Sequence, residues 1–108
     1  MTGSKLKIEA KDIEAGATLQ TPICVIGAGA AGITLAIELE RMGQEVLLLE
    51  GGGLAMSGKS QDLYRGEFKQ TMWRSFDYLR KSRLRFFGGT TNHWAGWCRP
   101  LTPWDMSS

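Results

Sequence analysis

The chain has 108 residues, enough for one small domain and too few for two. Its 43% hydrophobic and 22% charged content is ordinary for a globular protein, and the formal net charge of +2 says little about partners. The two cysteines, Cys24 and Cys98, have no C-x-x-C or Cys/His spacing, which argues against a metal site, and no apolar run approaches the ~20 residues of a membrane span.

In chain order, "MTGSKLKIEAKD" has no apolar core of a secretory signal, so a soluble cytoplasmic protein is expected. The alternation in Leu6–Ala10 suggests a short strand. Ile23–Gly27, "ICVIG", is a short apolar run rich in β-branched residues, which predicts a strand buried on both faces. Cys24 within it reads as a small core residue, and a Cys24–Cys98 disulfide is the less favoured alternative. Ala30–Met42 reads as a helix, with Gly32, Leu35, Ala36, Leu39 and Met42 on one stripe and Glu38 and Arg41 able to pair on the other side. Gly43 stands where a left-handed C-terminal cap belongs. Glu45–Glu50, "EVLLLE", reads as a second buried strand, which completes a βαβ unit with parallel strands.

Beyond Glu50 the pattern fades. Residues 51–66 read as loop, Thr71–Lys81 as a short helix, and Arg83–Phe87 as extended chain running into Gly88-Gly89. "TTNHWAGW" suggests the start of a helical turn, and Pro100 and Pro103 are expected to break any regular element after it. Charge divides along the same line. Residues 1–58 carry four Lys/Arg against seven Asp/Glu, and residues 59–108 carry nine against four, so the second half suits a phosphate ligand. No second βαβ unit follows, and two parallel strands do not cover themselves. The expectation is an α/β chain in which residues 1–108 form the N-terminal part of a larger fold, with the substrate domain absent.

Gly27-Ala28-Gly29-Ala30-Ala31-Gly32 fits G-x-G-x-x-G. Alone that string is weak. Here it follows a strand and opens a helix, and an acid, Glu50, lies 23 residues past Gly27 at a strand end. Gly27 allows the turn, Gly29 lets a pyrophosphate approach the backbone, and Gly32 lets helix and strand pack closely. The unpaired first-turn amides and the helix dipole favour phosphate. Glu50 can accept from both ribose hydroxyls and would repel a 2′-phosphate, which argues against NADP. The motif leaves FAD and NAD both open. Read blandly, the same residues make a tight strand–helix turn and end a strand.

A second stretch, "SRLRFFGGTTNHWAGWCRPL", adds to this. With "GAGAAG" and "LLLEGG" it resembles the glucose–methanol–choline family of FAD-dependent oxidoreductases, over roughly Cys24 to Trp104 with little information between Ala55 and Phe76. The resemblance implies a Rossmann-like FAD-binding core. Gly27, Gly29 and Gly32, with Ala30 and Ala31 between, would hold the diphosphate, and Glu50 the ribose. Gly88, Gly89, Thr90 and Thr91 would run past the flavin side, with Arg85, Asn92 and His93 also among the cofactor-binding residues. The residues agree: a glycine pair allows close approach of backbone to ligand, Thr hydroxyls can donate, and Arg83 or Arg85 can offset diphosphate charge. The bland alternative is a glycine turn beside a solvated basic strand.

Many family members carry Asn five residues after the glycine pair, where this chain has Trp94. The "HW" variant resembles the branch of pyranose oxidase and some bacterial sugar dehydrogenases, which implies that His93 is a candidate covalent tether to the flavin. A His93 that only packs near the ring is the alternative. The family's C-terminal His-His or His-Asn base has no match here. The implied chemistry is oxidation of an alcohol or sugar CH–OH by hydride transfer to flavin, with this chain inactive alone and only marginally folded. An NAD-binding Rossmann fragment and a non-catalytic dinucleotide-binding or interaction module remain as alternatives. "MWRSFDYLRKSRLRFF" interleaves basic and aromatic residues as single-strand binders do, but it lacks a nucleic-acid signature and its charge is modest.

Overall fold

A computed structural model describes residues 7–67, 69, 77–93 and 99–107. Strand β1, Ile23–Ile26, pairs in parallel with β2, Val46–Leu49, in the register Ile23 to Val46 through Ile26 to Leu49. Helix α1, Ala30–Arg41, connects them. Its end follows the sequence closely. The Gly43 amide donates to the Glu40 carbonyl at 2.9 Å and the Gln44 amide to the Leu39 carbonyl at 2.9 Å, the paired bonds of a Schellman stop. Glu38 and Arg41 pair on the exposed side.

The apolar stripe of α1 is rotated from the predicted one. Gly32, Ile33, Ala36 and Leu39 are half-buried against the strands, whereas Leu35 and Met42 are exposed. The strands are covered on one face. Val25 is 8% exposed and its neighbour Ile26 is 84% exposed. Burial on both faces is therefore not met. The cause is that α1 packs on one side and no described element packs on the other. Cys24 points to that open side. It is exposed and carries a free thiol, so it is not a core residue. Cys98 lies outside the described residues.

Other elements are short. Ala10–Asp12 is a 3-10 turn, and Lys7–Glu9 before it is irregular, so the strand expected at Leu6–Ala10 does not form over its described part. The predicted loop over residues 51–66 contains helix α2, Gly58–Gln61, followed by a 3-10 turn at Asp62–Tyr64. Ser57 starts α2 by accepting from the Ser60 amide at 3.1 Å. Helix α3, Tyr78–Lys81, is the described end of the predicted helix, and residues 71–76 lie outside the described set. Gly89–Asn92 forms the expected helical turn, of 3-10 type. Residues 94–98 also lie outside it. Pro103 opens a further 3-10 turn, Pro103–Met106, rather than preventing one. At the first helical position the missing amide would have no partner anyway.

The radius of gyration is 17.4 Å, against about 13 Å for a compact chain of this length. The small buried set, Val25, Ala28 and Gln61 among the described residues, agrees with that. Two of these three residues lie at or beside the glycine turn.

Candidate cofactor-binding site

The site begins where β1 ends. Gly27 takes φ +100°, a conformation that L side chains rarely adopt, and its amide donates to the Leu49 carbonyl at 2.7 Å. The chain then leaves the sheet through fully buried Ala28 and enters α1 at Gly29. A helix leaves the amides from its N-cap through its third residue without intrahelical partners. Here those belong to Gly29, Ala30, Ala31 and Gly32. No side-chain hydrogen bond caps the turn, and the first inward bond is Ile33 N–H to the Gly29 carbonyl at 2.9 Å. A Cβ on Gly29 would meet nothing within 4 Å, so open space lies there. Gly32 differs: its Cβ would lie 1.9 Å from the Gly27 carbonyl oxygen. This is the close helix–strand approach expected of the third glycine.

Parallel pairing of Ile26 with Leu49 sets the next residue, Glu50, beside that turn. One carboxylate oxygen of Glu50 accepts from the Ala28 amide at 2.8 Å and the other from the Gly52 amide at 2.7 Å. A carboxylate offers about four acceptor positions, so capacity for further donors remains.

The second glycine pair reaches the same place. Gly88 is left-handed, at φ +88°, and its amide donates to the Ala28 carbonyl at 2.7 Å. Gly89 packs against Gly29, whose Cα would lie 3.3 Å from a Cβ at position 89. The structure thus joins Gly27–Gly32, Glu50 and Gly88–Gly89, which sequence separates by up to 62 positions. The polar side chains after the pair are engaged locally. Thr90 Oγ1 accepts from the Leu84 amide at 3.1 Å, Thr91 Oγ1 donates to the Gly88 carbonyl, and Asn92 Nδ2 donates to the Phe87 and Gly89 carbonyls at 3.0 Å each. His93 closes the turn with its amide on the Thr90 carbonyl at 3.1 Å and is exposed.

The arginines are held inside the chain. Arg85 Nη1 donates to the Gly51 carbonyl at 2.5 Å and to Ser60 Oγ at 2.9 Å. The Arg83 guanidinium lies 4.3 Å above the centre of the Tyr64 ring. Arg80 bonds to Asp62 at 2.6 Å, which holds the Asp62 carboxyl below its usual range, with Arg65 adding to the effect.

Two residues near the site had no warning in the sequence reading, Ser60 and Gln61. Gln61 is 2% exposed, yet each of its polar atoms is bonded. Ser57 is an N-cap residue type and the one local signal that points to the start of α2. Nothing comparable marks Gln61.

The family model for FAD dependent oxidoreductases matches residues 22–107. The chain belongs to that family. No curated protein and no solved structure matches it. FAD is accordingly the cofactor of this domain. The turn fits such a ligand: it combines uncapped first-turn amides, open space at Gly29 and a carboxylate with spare acceptor capacity. Among the described residues no helix is long and apolar enough to cross a membrane, and no group of three or more His, Cys, Asp or Glu is placed to hold a metal ion.

Proposed function

We propose that this FAD dependent oxidoreductase chain binds the cofactor at the mouth formed by Gly27–Gly32, Glu50 and Gly88–Gly89. The amides of Gly29, Ala30, Ala31 and Gly32 receive the diphosphate. Glu50 accepts from the ribose hydroxyls while keeping its bonds to Ala28 and Gly52, and the turn Gly89–Asn92 borders the flavin. Arg85 serves this site by holding Gly51 and Ser60 in place. The observation that carries the reading is the Gly88 amide bonded to the Ala28 carbonyl, which brings the two glycine motifs to one mouth.

The finer reading is oxidation of an alcohol or sugar CH–OH, as in the glucose–methanol–choline family and its pyranose oxidase branch. The quoted "RFFGGTTNHW" stretch supports it. Bound flavin supplies the hydride acceptor for that chemistry. His93, exposed at the end of the turn, is the proposed covalent attachment point. Flavin that stays with the chain through acid precipitation, and is lost in His93→Ala, would bear this out. The substrate-binding part and the catalytic base are proposed to lie outside residues 1–108, supported by the uncovered sheet face that exposes Ile26 and Leu49.

The test is titration of the full chain with FAD, read by quenching of flavin fluorescence. Saturable quenching is expected, with NAD unable to compete. Glu50→Ala, which removes two charge-assisted hydrogen bonds, is expected to weaken FAD by about tenfold or more. Glu50→Gln serves as a milder variant should Glu50→Ala fail to fold. Equal competition by NAD, or FAD binding unchanged in both Glu50 variants, would overturn the reading.

A further inference from the structure

Gln61 stands out because a neutral polar side chain is the most deeply buried large group among the described residues. It lies at the end of α2, remote in sequence from both glycine motifs, yet it bonds to the segment that carries the second one. Its Nε2 donates to the Arg80 and Arg83 carbonyls at 2.5 Å each, and its Oε1 accepts from the Arg85 amide at 3.0 Å. Both amide protons and the carbonyl are used, so the group is satisfied in burial.

Those bonds set the course of residues 80–85, and that course leads to the cofactor mouth. Ser60, beside Gln61, donates from Oγ to the Arg85 carbonyl at 3.1 Å. The Arg85 carbonyl then lies so close to Gly52 that a Cβ there would stand 2.3 Å from it. The Arg85 guanidinium holds the Gly51 carbonyl, and the Phe87 amide donates to the Gly53 carbonyl at 2.9 Å. Residues 85–87 thus lie along Gly51–Gly53. Gly52 donates to Glu50 at one end of that contact, and Gly88 donates to Ala28 at the other.

We infer that Gln61 is a positioning residue for the cofactor: its buried carboxamide latches residues 80–88 onto the Gly51–Gly53 loop and so sets the Gly88–Asn92 turn against the glycine-rich turn. Gln61 does not touch the mouth itself. Its effect passes through Arg85 to Gly52 and through Phe87 to Gly88, while Glu50 keeps its bond to the Ala28 amide. The inference rests on the mouth proposed above, and it adds a consequence that the mouth alone lacks. The latch acts on the Gly88 side, so its loss falls on the flavin half of the ligand. The adenosine half is held by the glycine-rich turn and the end of β2, which bond to each other through the Gly27 and Ala28 amides without Gln61.

The test compares wild type, Gln61→Met and Gln61→Glu in the full chain. Met keeps shape and removes every hydrogen bond. Glu keeps the acceptor for Arg85 but sets an oxygen against the Arg80 and Arg83 carbonyls. Amide hydrogen exchange of ligand-free protein reads the latch directly. Gln61→Met is expected to speed exchange at Gly52 and Gly88, neither bonded to Gln61, while the α1 amides keep wild-type protection. Binding reads the consequence. FAD is expected to weaken by about tenfold or more in Gln61→Met, and ADP by less than about threefold, because unpaired buried groups loosen only the latched side. Gln61→Glu is expected to fall at least as far on FAD.

Unchanged exchange at Gly52 and Gly88 in Gln61→Met overturns the latch even with wild-type FAD binding intact. Equal loss of FAD and ADP, with α1 also unprotected, overturns it in favour of a purely structural role. Wild-type chain that binds neither FAD nor ADP overturns the mouth itself, and the positioning role with it.

Discussion

Between Ile23 and Leu49 the chain is held by repetition: parallel backbone pairing, a twelve-residue helix, and a helix stop built from main-chain bonds. Between Ser57 and His93 the described α-helices are four residues long and no described segment is a strand. What holds this second region is single side chains bonded to backbone, from Ser60, Gln61, Thr90 and Asn92, and isolated main-chain bonds at Phe87 and Gly88. The two regions meet at one place, and each brings a glycine motif to it. Loss in the first should spread through a cooperative unit. Loss in the second should run along the latched segment as far as the Gly88 turn and leave the first region intact.

The largest effect expected tests the first half of that contrast. Gly32→Ala raises helix propensity by about 1 kcal/mol, which alone would stabilise α1. Against it, the new Cβ would stand 1.9 Å from a backbone oxygen, that of Gly27, and no flexible side chain is there to yield. Overpacking of this kind costs about 1–3 kcal/mol and occasionally more. The clash is expected to win. The melting temperature followed by circular dichroism should fall sharply, and FAD affinity with it. A variant that melts like wild type would show that α1 and β1 are not packed as described.

A smaller effect separates the two regions at their junction. Gly52 and Gly53 are neighbours in a glycine triplet, but of these two only Gly52 is pressed by residues 85–87, with Arg85 O at 2.3 Å and Phe86 Cα at 2.6 Å from its virtual Cβ. For Gly53 the nearest atom is 3.7 Å away. Gly52→Ala should destabilise by about 1 kcal/mol in urea unfolding, because residues 85–87 can shift off the loop, and Gly53→Ala by no more than about 0.5 kcal/mol. Equal effects would mean that residues 85–87 do not lie on the loop.

The same contrast explains what could be read from sequence. Apolar runs, the Gly-x-Gly-x-x-Gly spacing and the Gly43 stop each repeat a pattern with a geometric cause, and β1, α1 and β2 appear where those patterns place them. Face coverage was not readable, since an apolar run states that a strand can be buried on both faces and not that a partner is present; Cys24 and Ile26 show the difference. Leu35 and Met42 misled for a related reason: apolar spacing marks residues that can be covered, and of the two stripes that share Gly32, Ala36 and Leu39 the sheet covers the one that runs through Ile33. α2 was missed inside a polar, glycine-rich stretch because its stability comes from a serine cap and a buried glutamine. A single Gln carries no period to detect.

The smallest effect concerns the turn at Pro103–Met106, where the prolines were expected to forbid regular structure. Asp105 supports that turn. Its carboxylate accepts from Arg99 at 2.7 and 2.6 Å, and from the Thr102 amide at 2.8 Å and hydroxyl at 2.7 Å. The Arg99 bonds, then those from Thr102, hold its carboxyl far below the ordinary value of 3.8. A carboxyl depressed in the folded state contributes fully above its unfolded value and loses that contribution as pH falls through the folded one. The turn should therefore hold at neutral pH and well into the acid range, and loosen only as Asp105 finally takes up its proton. The group and its partners lie in a surface turn away from the sheet and helix, so global melting should scarcely respond. The Thr102 amide resonance should report the change, moving late in an acid titration and not at all in Asp105→Asn, which can still accept from Thr102 but cannot titrate. A Thr102 amide that moves with an ordinary carboxylate midpoint would show that Arg99 does not hold the turn. A global unfolding step at the same pH would show that the turn is part of the cooperative unit, and would erase the distinction between a repetitive core and locally latched segments at this end of the chain.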